Sequence, residues 1–260
     1  MPNAKNLNPL KKNILNIGPT GSGKTTLFTT IPGKKFIYMF DPSGLGSIQG
    51  QDIDYEYFSP DSNIGLRRGM KGQKDPKATK PEEPLAYANF EDHLEDMIAN
   101  GFYDYDVVGF DSLTKLQDIM MDRQLWINSR YGQIPELGDY RVIGITMVTI
   151  FTEVVTHRPV IYITGHTDTT KDEISGRVID QFDIVKNLRR QLPRDLTDMW
   201  VSSAEQRETG SKYLLQTAPD KRNPNAKNSF GLKFIEDVTI DFKKPRENQG
   251  IGEFFKRINK

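Results

Sequence analysis

A short apolar run, a glycine-rich turn and a helix-forming run follow one another near the start of the chain. Asn13-Ile14-Leu15-Asn16-Ile17 leads into Gly18-Pro19-Thr20-Gly21-Ser22-Gly23-Lys24-Thr25-Thr26, then Leu27-Phe28. The middle stretch fits the G-x-x-x-x-G-K-[ST] pattern at every fixed position. Its flanks matter as much as its letters, because such a loop must carry the chain from a strand end into a helix N-terminus. There, unpaired backbone N–H groups and the positive end of the helix dipole face an anion. Gly18, Gly21 and Gly23 supply backbone freedom, Lys24 reaches toward β- and γ-phosphates, and the Thr25 hydroxyl is placed to ligate Mg²⁺. Residues 18–26 therefore read as a nucleotide phosphate site.

The rest of the chain alternates strand and helix signals. Residues 35–40 suit a second strand ending at Asp41-Pro42-Ser43-Gly44, and Ile53, Tyr55 and Tyr57 alternate as a half-buried third. A helix is expected over 85–100 with Gly101 as its stop, then an apolar strand ending in Asp111. Two helices over 113–129 and 139–156 precede a strand at 159–164 that ends in Gly165-His166. Helix signals resume through Val178, Phe182, Val185 and Leu188, followed by strand-like pieces at 199–203, 212–217 and 237–242 and a short last helix. This order predicts an α/β fold, a mostly parallel central sheet with helices on both faces. Residues 1–12 read as a flexible arm, 13–242 as the main domain and 243–260 as a tail with a short helix. Residues 59–84 lose periodicity and fill with Gly, Pro and Lys, as in a mobile basic insertion.

Composition narrows the function classes. The chain has 35 basic and 35 acidic side chains, so its overall charge attracts no polyanion and any nucleic-acid contact must come from a local patch. It has no cysteine, which excludes disulfides, thiol catalysis and cysteine-ligated zinc. No run approaches the roughly 18 apolar residues of a membrane span, and the N-terminus lacks a signal-peptide core. The expectation is a cytoplasmic protein without membrane contact, in the cytoplasm of a cell or of an infected cell.

Asp111 is the strongest partner for the loop. An acid at the C-terminal end of a buried strand lies beside a phosphate loop in such a sheet and can hold Mg²⁺ directly or through water. Asp111-Ser112-Leu113-Thr114 also suits a helix N-cap, although the loop upstream favours the metal role. The long separation between the two motifs leaves room for additional strands between them. His166 ends the next strand on the same edge, where α/β sheets bind ligands, and is a candidate sensor of the γ-phosphate.

These strand ends resemble the RecA-like branch of P-loop NTPases: GPTGSGKTTL (18–27), FDPSG (40–44), VVGFDSLT (107–114) and IYITGH (161–166). The closer likeness is to phage-encoded, AAA-type ATP-binding proteins of the single-strand-annealing recombinase group, which also carry a late Y-x-L-x-T-x-P-D segment, here residues 213–220. The resemblance implies ATP and Mg²⁺ as cofactors and ATP hydrolysis coupled to single-stranded DNA binding, annealing or recombination. It also implies a homo-oligomer and a single-strand-binding protein as partner. One position departs: RecA-like proteins commonly carry a water-activating glutamate two residues after the strand-2 aspartate, and Ser43 stands there. Asp41 is then the candidate catalytic base, beside Lys24, Asp111 and His166, although its Pro and Gly neighbours equally suit a plain tight turn.

Three basic stretches are candidates for phosphate contact: Arg67 to Lys80; Lys186, Arg189, Arg190 and Arg194; and Lys221, Arg222 and Lys227. Each lacks interleaved aromatics for base stacking, and a solvated charged surface explains any one of them as well. An arginine near 222 also has the chemistry of a finger reaching a neighbouring subunit's γ-phosphate. The alternatives from other classes are a viral DNA-packaging or assembly motor, and a nucleotide-gated oligomeric binding protein with weak hydrolysis.

Overall fold

Alternation along the central strands divides the chain into two apolar layers. The computed structural model describes residues 11–59, 83–157, 159–171, 176, 178–208 and 210–258. The start of the arm and most of the insertion, with Arg67, Arg68, Lys71, Lys74, Lys77 and Lys80, lie outside the described residues. The strands are β1 (Asn13–Ile17), β2 (Lys35–Met39), β3 (Asp54–Tyr57), β4 (Val107–Asp111), β5 (Val160–Gly165), β6 (Thr167–Lys171), β7 (Val178–Phe182), β8 (Asp198–Arg207), β9 (Gly210–Gln216) and β10 (Ile235–Asp237). The helices are α1 (Lys24–Phe28), α2 (Leu45–Ile48), α3 (Ala86–Asp96), α4 (Leu113–Ile127), α5 (Leu137–Val154), α6 (Lys186–Asp195) and α7 (Ile251–Ile258).

Among the described residues, eight strands form one sheet in the order β10-β9-β8-β1-β5-β4-β2-β3. The run from β8 to β3 is parallel, and β9 and β10 add antiparallel strands at one edge. Successive side chains of a strand point to opposite faces. Leu15, Ile17, Val108, Phe110, Ile161 and Ile163 therefore meet α3, α4, α5 and α6 on one side. Ile14, Ile37, Val107, Tyr162 and Trp200 meet α1, α2 and α7 on the other. This is the expected mostly parallel α/β sheet with helices on both faces. Strands β2 and β3 occupy the stretch of sequence between the two motifs, and β5, from further along the chain, lies between β1 and β4 in the sheet.

Three local expectations change. Residues 178–188 do not form one helix: Val178–Phe182 is strand β7, paired antiparallel with β6, and α6 begins only at Lys186. The apolar spacing there mimics a helical stripe, but β-branched Val178 and Ile179 face a threonine-rich partner strand. Phe182 closes the hairpin base against Gly165, where an added Cβ would lie 2.1 Å from the ring. Tyr55 is 53% exposed because β3 is the sheet's edge, so that strand is less buried than its alternation suggests. Finally, the piece expected over 237–242 pairs as a strand only at Ile235–Asp237. Val238 still donates its N–H to the Tyr213 carbonyl at 3.0 Å, after which the chain leaves the sheet.

The closing segment folds back onto the centre of the molecule. Ile251 and Phe254 of α7 are buried, and the Phe254 ring packs 6.0 Å from Trp200 and 6.4 Å from Phe230, centroid to centroid. The Ile251 N–H donates to the Thr30 hydroxyl at 3.1 Å, tying α7 to the end of α1. Helix α1 is short because the Thr29 and Thr30 hydroxyls donate back to the Thr26 and Leu27 carbonyls, both at 2.7 Å, and Pro32 follows. Truncating Phe254 to alanine removes a ring from this closed cluster and is expected to cost about 3–5 kcal/mol. Urea unfolding should report it as a lower midpoint at unchanged slope; an unshifted midpoint would mean that α7 does not dock.

Candidate functional site

Strand β1 delivers the chain to the glycine-rich turn at the C-terminal edge of the sheet. The Gly18 N–H donates to the Gly165 carbonyl of β5 at 3.1 Å, which anchors the start of the loop. Gly23 has φ 84°, a left-handed conformation that only glycine adopts cheaply, and it opens α1. Beneath the loop runs a buried polar chain. Ser202 donates to Asn16 at 2.7 Å, Asn16 donates to the Tyr162 hydroxyl at 2.8 Å, and Tyr162 donates to the Lys24 carbonyl at 2.9 Å. Strands β8, β1 and β5 thus hold the first turn of α1 through satisfied hydrogen bonds.

Lys24 folds back over the turn, its ammonium donating to the Gly18 and Pro19 carbonyls at 2.7 and 2.8 Å. Burial lowers its pKa to about 8, against the pull of Asp111 and Asp41. The Thr25 hydroxyl points at β4 and donates to Asp111 Oδ2 at 2.7 Å. Thr164 of β5 donates to the other oxygen of the same carboxylate. Asp111 is only 4% exposed, and burial pushes its carboxyl above the usual range despite the Thr164 and Thr25 hydroxyls and the Lys24 charge. The N-cap of α4 falls to Ser112, whose side chain accepts from the Lys115 N–H, so Asp111 is left to the loop.

Asp41 has two partners. Its Oδ1 accepts from the Ser43 N–H and hydroxyl at 2.9 and 2.7 Å, capping the short turn Pro42–Gly44. Its Oδ2 lies 3.6 Å from His166 Nε2. Burial raises the Asp41 carboxyl, but the Ser43 bonds and the imidazole outweigh it and hold it below the usual carboxylate range. His166 is depressed by burial and by Lys24, so it is neutral at neutral pH.

These groups line one cavity of about 350 Å³, with residues 20–27, Asp41, Asp111 and His166 along one part and Tyr213, Val238, Ile240 and Phe242 along another. The donor set fits Mg²⁺. Thr25 and Asp111 offer hard oxygens side by side, and Mg²⁺ in such sites takes one or two protein oxygens and completes its shell with phosphates and water. Among the described residues there is no cluster of three or more acidic or imidazole groups that could hold a metal ion.

The candidate nucleic-acid residues separate into two groups. Lys186, Arg190 and Arg194 are exposed and recur every four residues on α6, so they share a stripe. Arg189 instead bonds Gln181 and the Ile184 carbonyl, Arg222 pairs with Asp180 at 2.9 Å, and Lys227 donates to the Leu196 carbonyl at 2.6 Å. Sequence reasoning did not assign Tyr162, Thr164, Tyr213, Val238, Ile240 or Phe242 to the site. The signal available was that Asn16, Tyr162 and Thr164 are polar atoms inside otherwise apolar strands, which must find partners there.

A phosphate loop joined to a buried strand-end carboxylate defines a P-loop nucleoside triphosphatase. Residues 10–230 match the model of the AAA_24 family, described as an AAA domain, and the chain belongs to that family; it is a P-loop ATPase. Similar solved folds include a KaiC-like protein from the hyperthermophilic archaeon Pyrococcus horikoshii OT3, at 12% identity over 80% of this chain and 78% of that one, TM-score 0.43. Another is the flagellar accessory protein FlaH from Methanocaldococcus jannaschii, at 11% identity over 88% and 85%, TM-score 0.40. Likeness at that level says nothing of what this chain acts on. No curated protein matches it in sequence.

Asp111 gives the site a measurable signature. An acid whose folded pKa is raised costs stability above that pKa and none below its unfolded value near 3.8. In the ligand-free protein, Asp111→Asn should unfold at a higher temperature than wild type at pH 7, and the gap should close as pH falls toward 4. Calorimetry at several pH values checks this; a gap that widens on acidification would refute it.

Proposed function

We propose that the chain is a Mg²⁺-dependent ATPase whose turnover is coupled to single-stranded DNA. The observation that carries the nucleotide half is the 2.7 Å bond between Thr25 and Asp111, which brings the loop and the acid strand to one point. In this reading the amides of residues 18–26 cradle the triphosphate, and Thr25 and Asp111 hold the metal. Lys24 exchanges the Gly18 and Pro19 carbonyls for phosphate oxygens, which are charged and therefore stronger acceptors. When bound, Mg²⁺ neutralises charge on the β- and γ-oxygens. Asp41 aligns the attacking water with its oxygen on the His166 side, and His166 senses the γ-phosphate. A carboxylate held below its usual pKa is a weak base, so unassisted hydrolysis is slow.

The DNA half is supported by the exposed stripe Lys186, Arg190 and Arg194 and by its connection to the site. His166 leads directly into the β6–β7 hairpin, the hairpin returns through Phe182, and α6 begins four residues later. Contacts made by such a stripe neutralise backbone phosphates irrespective of sequence and weaken with salt. Assembly as a homo-oligomer belongs to the same reading. Lys24 is the one Lys or Arg among the described residues lining the cavity, which leaves room for a cation from a neighbour. Annealing or recombination alongside a single-strand-binding protein, in the cytoplasm of a phage-infected host, is the setting that the residue 107–114 and 213–220 resemblances support.

ATP turnover with and without single-stranded DNA, across a salt series, tests the proposal. DNA should raise turnover, and the rise should fade as salt increases. The double variant Lys186→Glu, Arg190→Glu should lose the rise while keeping basal turnover. Lys24→Ala should lower turnover by at least about 100-fold in every condition, the order of removing one preorganised transition-state contact. Turnover indifferent to DNA at low salt rejects the coupling; Lys24→Ala at wild-type speed rejects the site.

A further inference from the structure

The cavity has an apolar half that the phosphate chemistry does not use. Tyr213 of β9 and Val238, Ile240 and Phe242 of the segment after β10 line it. Three of these four residues lie past residue 230, where the family match ends. The segment is fixed at several points. Val238 donates its N–H to the Tyr213 carbonyl, and the Tyr213 N–H donates to the Thr239 hydroxyl at 2.9 Å, so both backbone groups of Tyr213 are held by the strap. Its ring rests on the loop itself: a Cβ at Gly23 would lie 3.1 Å from Tyr213 Cδ1. Ile240 packs toward Gly250, which also neighbours Leu27.

Phe242 is the unusual member. It is 72% exposed, yet it does not dangle: the Arg246 guanidinium sits over its ring, 5.2 Å from the centroid. Arg246 is itself tied down, donating to the Thr29 hydroxyl at 2.9 Å and the Ser47 carbonyl at 3.1 Å. An exposed aromatic ring, held in place by an anchored cation beside a phosphate site, is a platform for a second flat group.

We propose that this strap is the nucleobase subsite, with Tyr213 and Phe242 holding the base by stacking and apolar contact, and that it takes adenine and guanine nucleotides alike. The proposal rests on residues 18–26 binding a nucleoside triphosphate. Selectivity for guanine needs an acceptor for its ring N–H and amino group, and a carboxylate is the usual one. The carboxylates in the cavity lining are Asp41 and Asp111, and both are engaged at the phosphate end, by Ser43 and His166 and by Thr25 and Thr164. Several backbone donors of the strap are engaged as well. The N–H groups of Val238, Thr239, Asp241 and Lys243 already donate to Tyr213, Asp237, Gln249 and Asp241 respectively. With both lining carboxylates engaged at the phosphate end, the ring faces of Tyr213 and Phe242 are what the strap chiefly offers the base, and every purine presents a face to them.

Calorimetric titration with three probes, each with Mg²⁺, tests this: ATP, GTP and inorganic tripolyphosphate. Wild type should bind ATP and GTP within about tenfold of each other and both more tightly than tripolyphosphate. Phe242→Ala should weaken ATP and GTP by about fivefold or more, the range of a lost aromatic–base stack, and leave tripolyphosphate unchanged. Phe242→Trp should restore both, and because residue 242 is mostly exposed these variants retain the fold. ATP affinity unchanged in Phe242→Ala, or a preference beyond about tenfold for one purine, overturns the subsite. Tripolyphosphate bound as tightly as ATP also overturns it while leaving the phosphate loop standing. A wild type that binds none of the three rejects the nucleotide reading and the subsite with it.

Discussion

A carboxylate almost sealed from solvent is the constraint around which the molecule is arranged. Burying Asp111 is costly, and the cost is tolerable only because Thr25, Thr164 and Lys24 surround it. These partners come from two elements distant in sequence: Lys24 and Thr25 from the first turn of α1, and Thr164 from the neighbouring strand β5. The carboxylate therefore requires β5 to lie against β4, and β1 against β5, in the register observed. A one-residue slip of β5 would turn Thr164 to the opposite face and leave the acid short of a donor. Sheet order and site geometry are the same constraint seen at two scales.

The polar chain below the loop extends this constraint sideways. Asn16, Tyr162 and Ser202 break three otherwise apolar strands, and each buried atom in the chain meets the next. Its last link is the backbone carbonyl of Lys24 itself, the residue whose ammonium exchanges partners for phosphate on the proposed reading. A rigid anchor under a mobile side chain is a useful division: the backbone that presents amides stays fixed while Lys24 exchanges partners. Beyond β8, the antiparallel strands β9 and β10 bring Tyr213 and the strap to the far side of the same loop. Parallel strands thus supply the phosphate end, and the antiparallel edge supplies the apolar end.

Much of this was legible in the sequence, and the failures share a cause. The loop, its flanking strand and helix, the acid-bearing strand and the long helices α4 and α5 announce themselves through local pattern. Whether Asp111 capped α4 was undecidable locally, because Ser112 beside it can cap equally well; only the packing of Thr25 and Thr164 shows where the carboxylate goes. Strand β7 was misread because apolar residues at 178, 182, 185 and 188 satisfy a helical period, while the hairpin partner that overrides it lies ten residues upstream. The piece at 237–242 alternates like a strand but spends its apolar side chains on a cavity wall instead of a sheet. Such choices depend on partners distant in sequence, which single-chain periodicity does not encode.

Ser43 can be understood in the same terms. At the position where the resemblance to RecA-like proteins implies a water-activating glutamate, this serine donates twice to Asp41 Oδ1 and leaves Oδ2 toward His166. The exchange gives orientation and takes away basicity: an acid so well hydrogen-bonded holds a water in place but accepts its proton poorly. On the proposed reading, the burden of catalysis then shifts to electrostatic stabilisation of the transferring phosphoryl group. Among the described residues Lys24 is the one Lys or Arg lining the cavity for that purpose, so an added cation would do more for the rate here than in a site that owns its glutamate. A site that is well built for gripping and weakly built for cutting is suited to having its turnover set by what it assembles on.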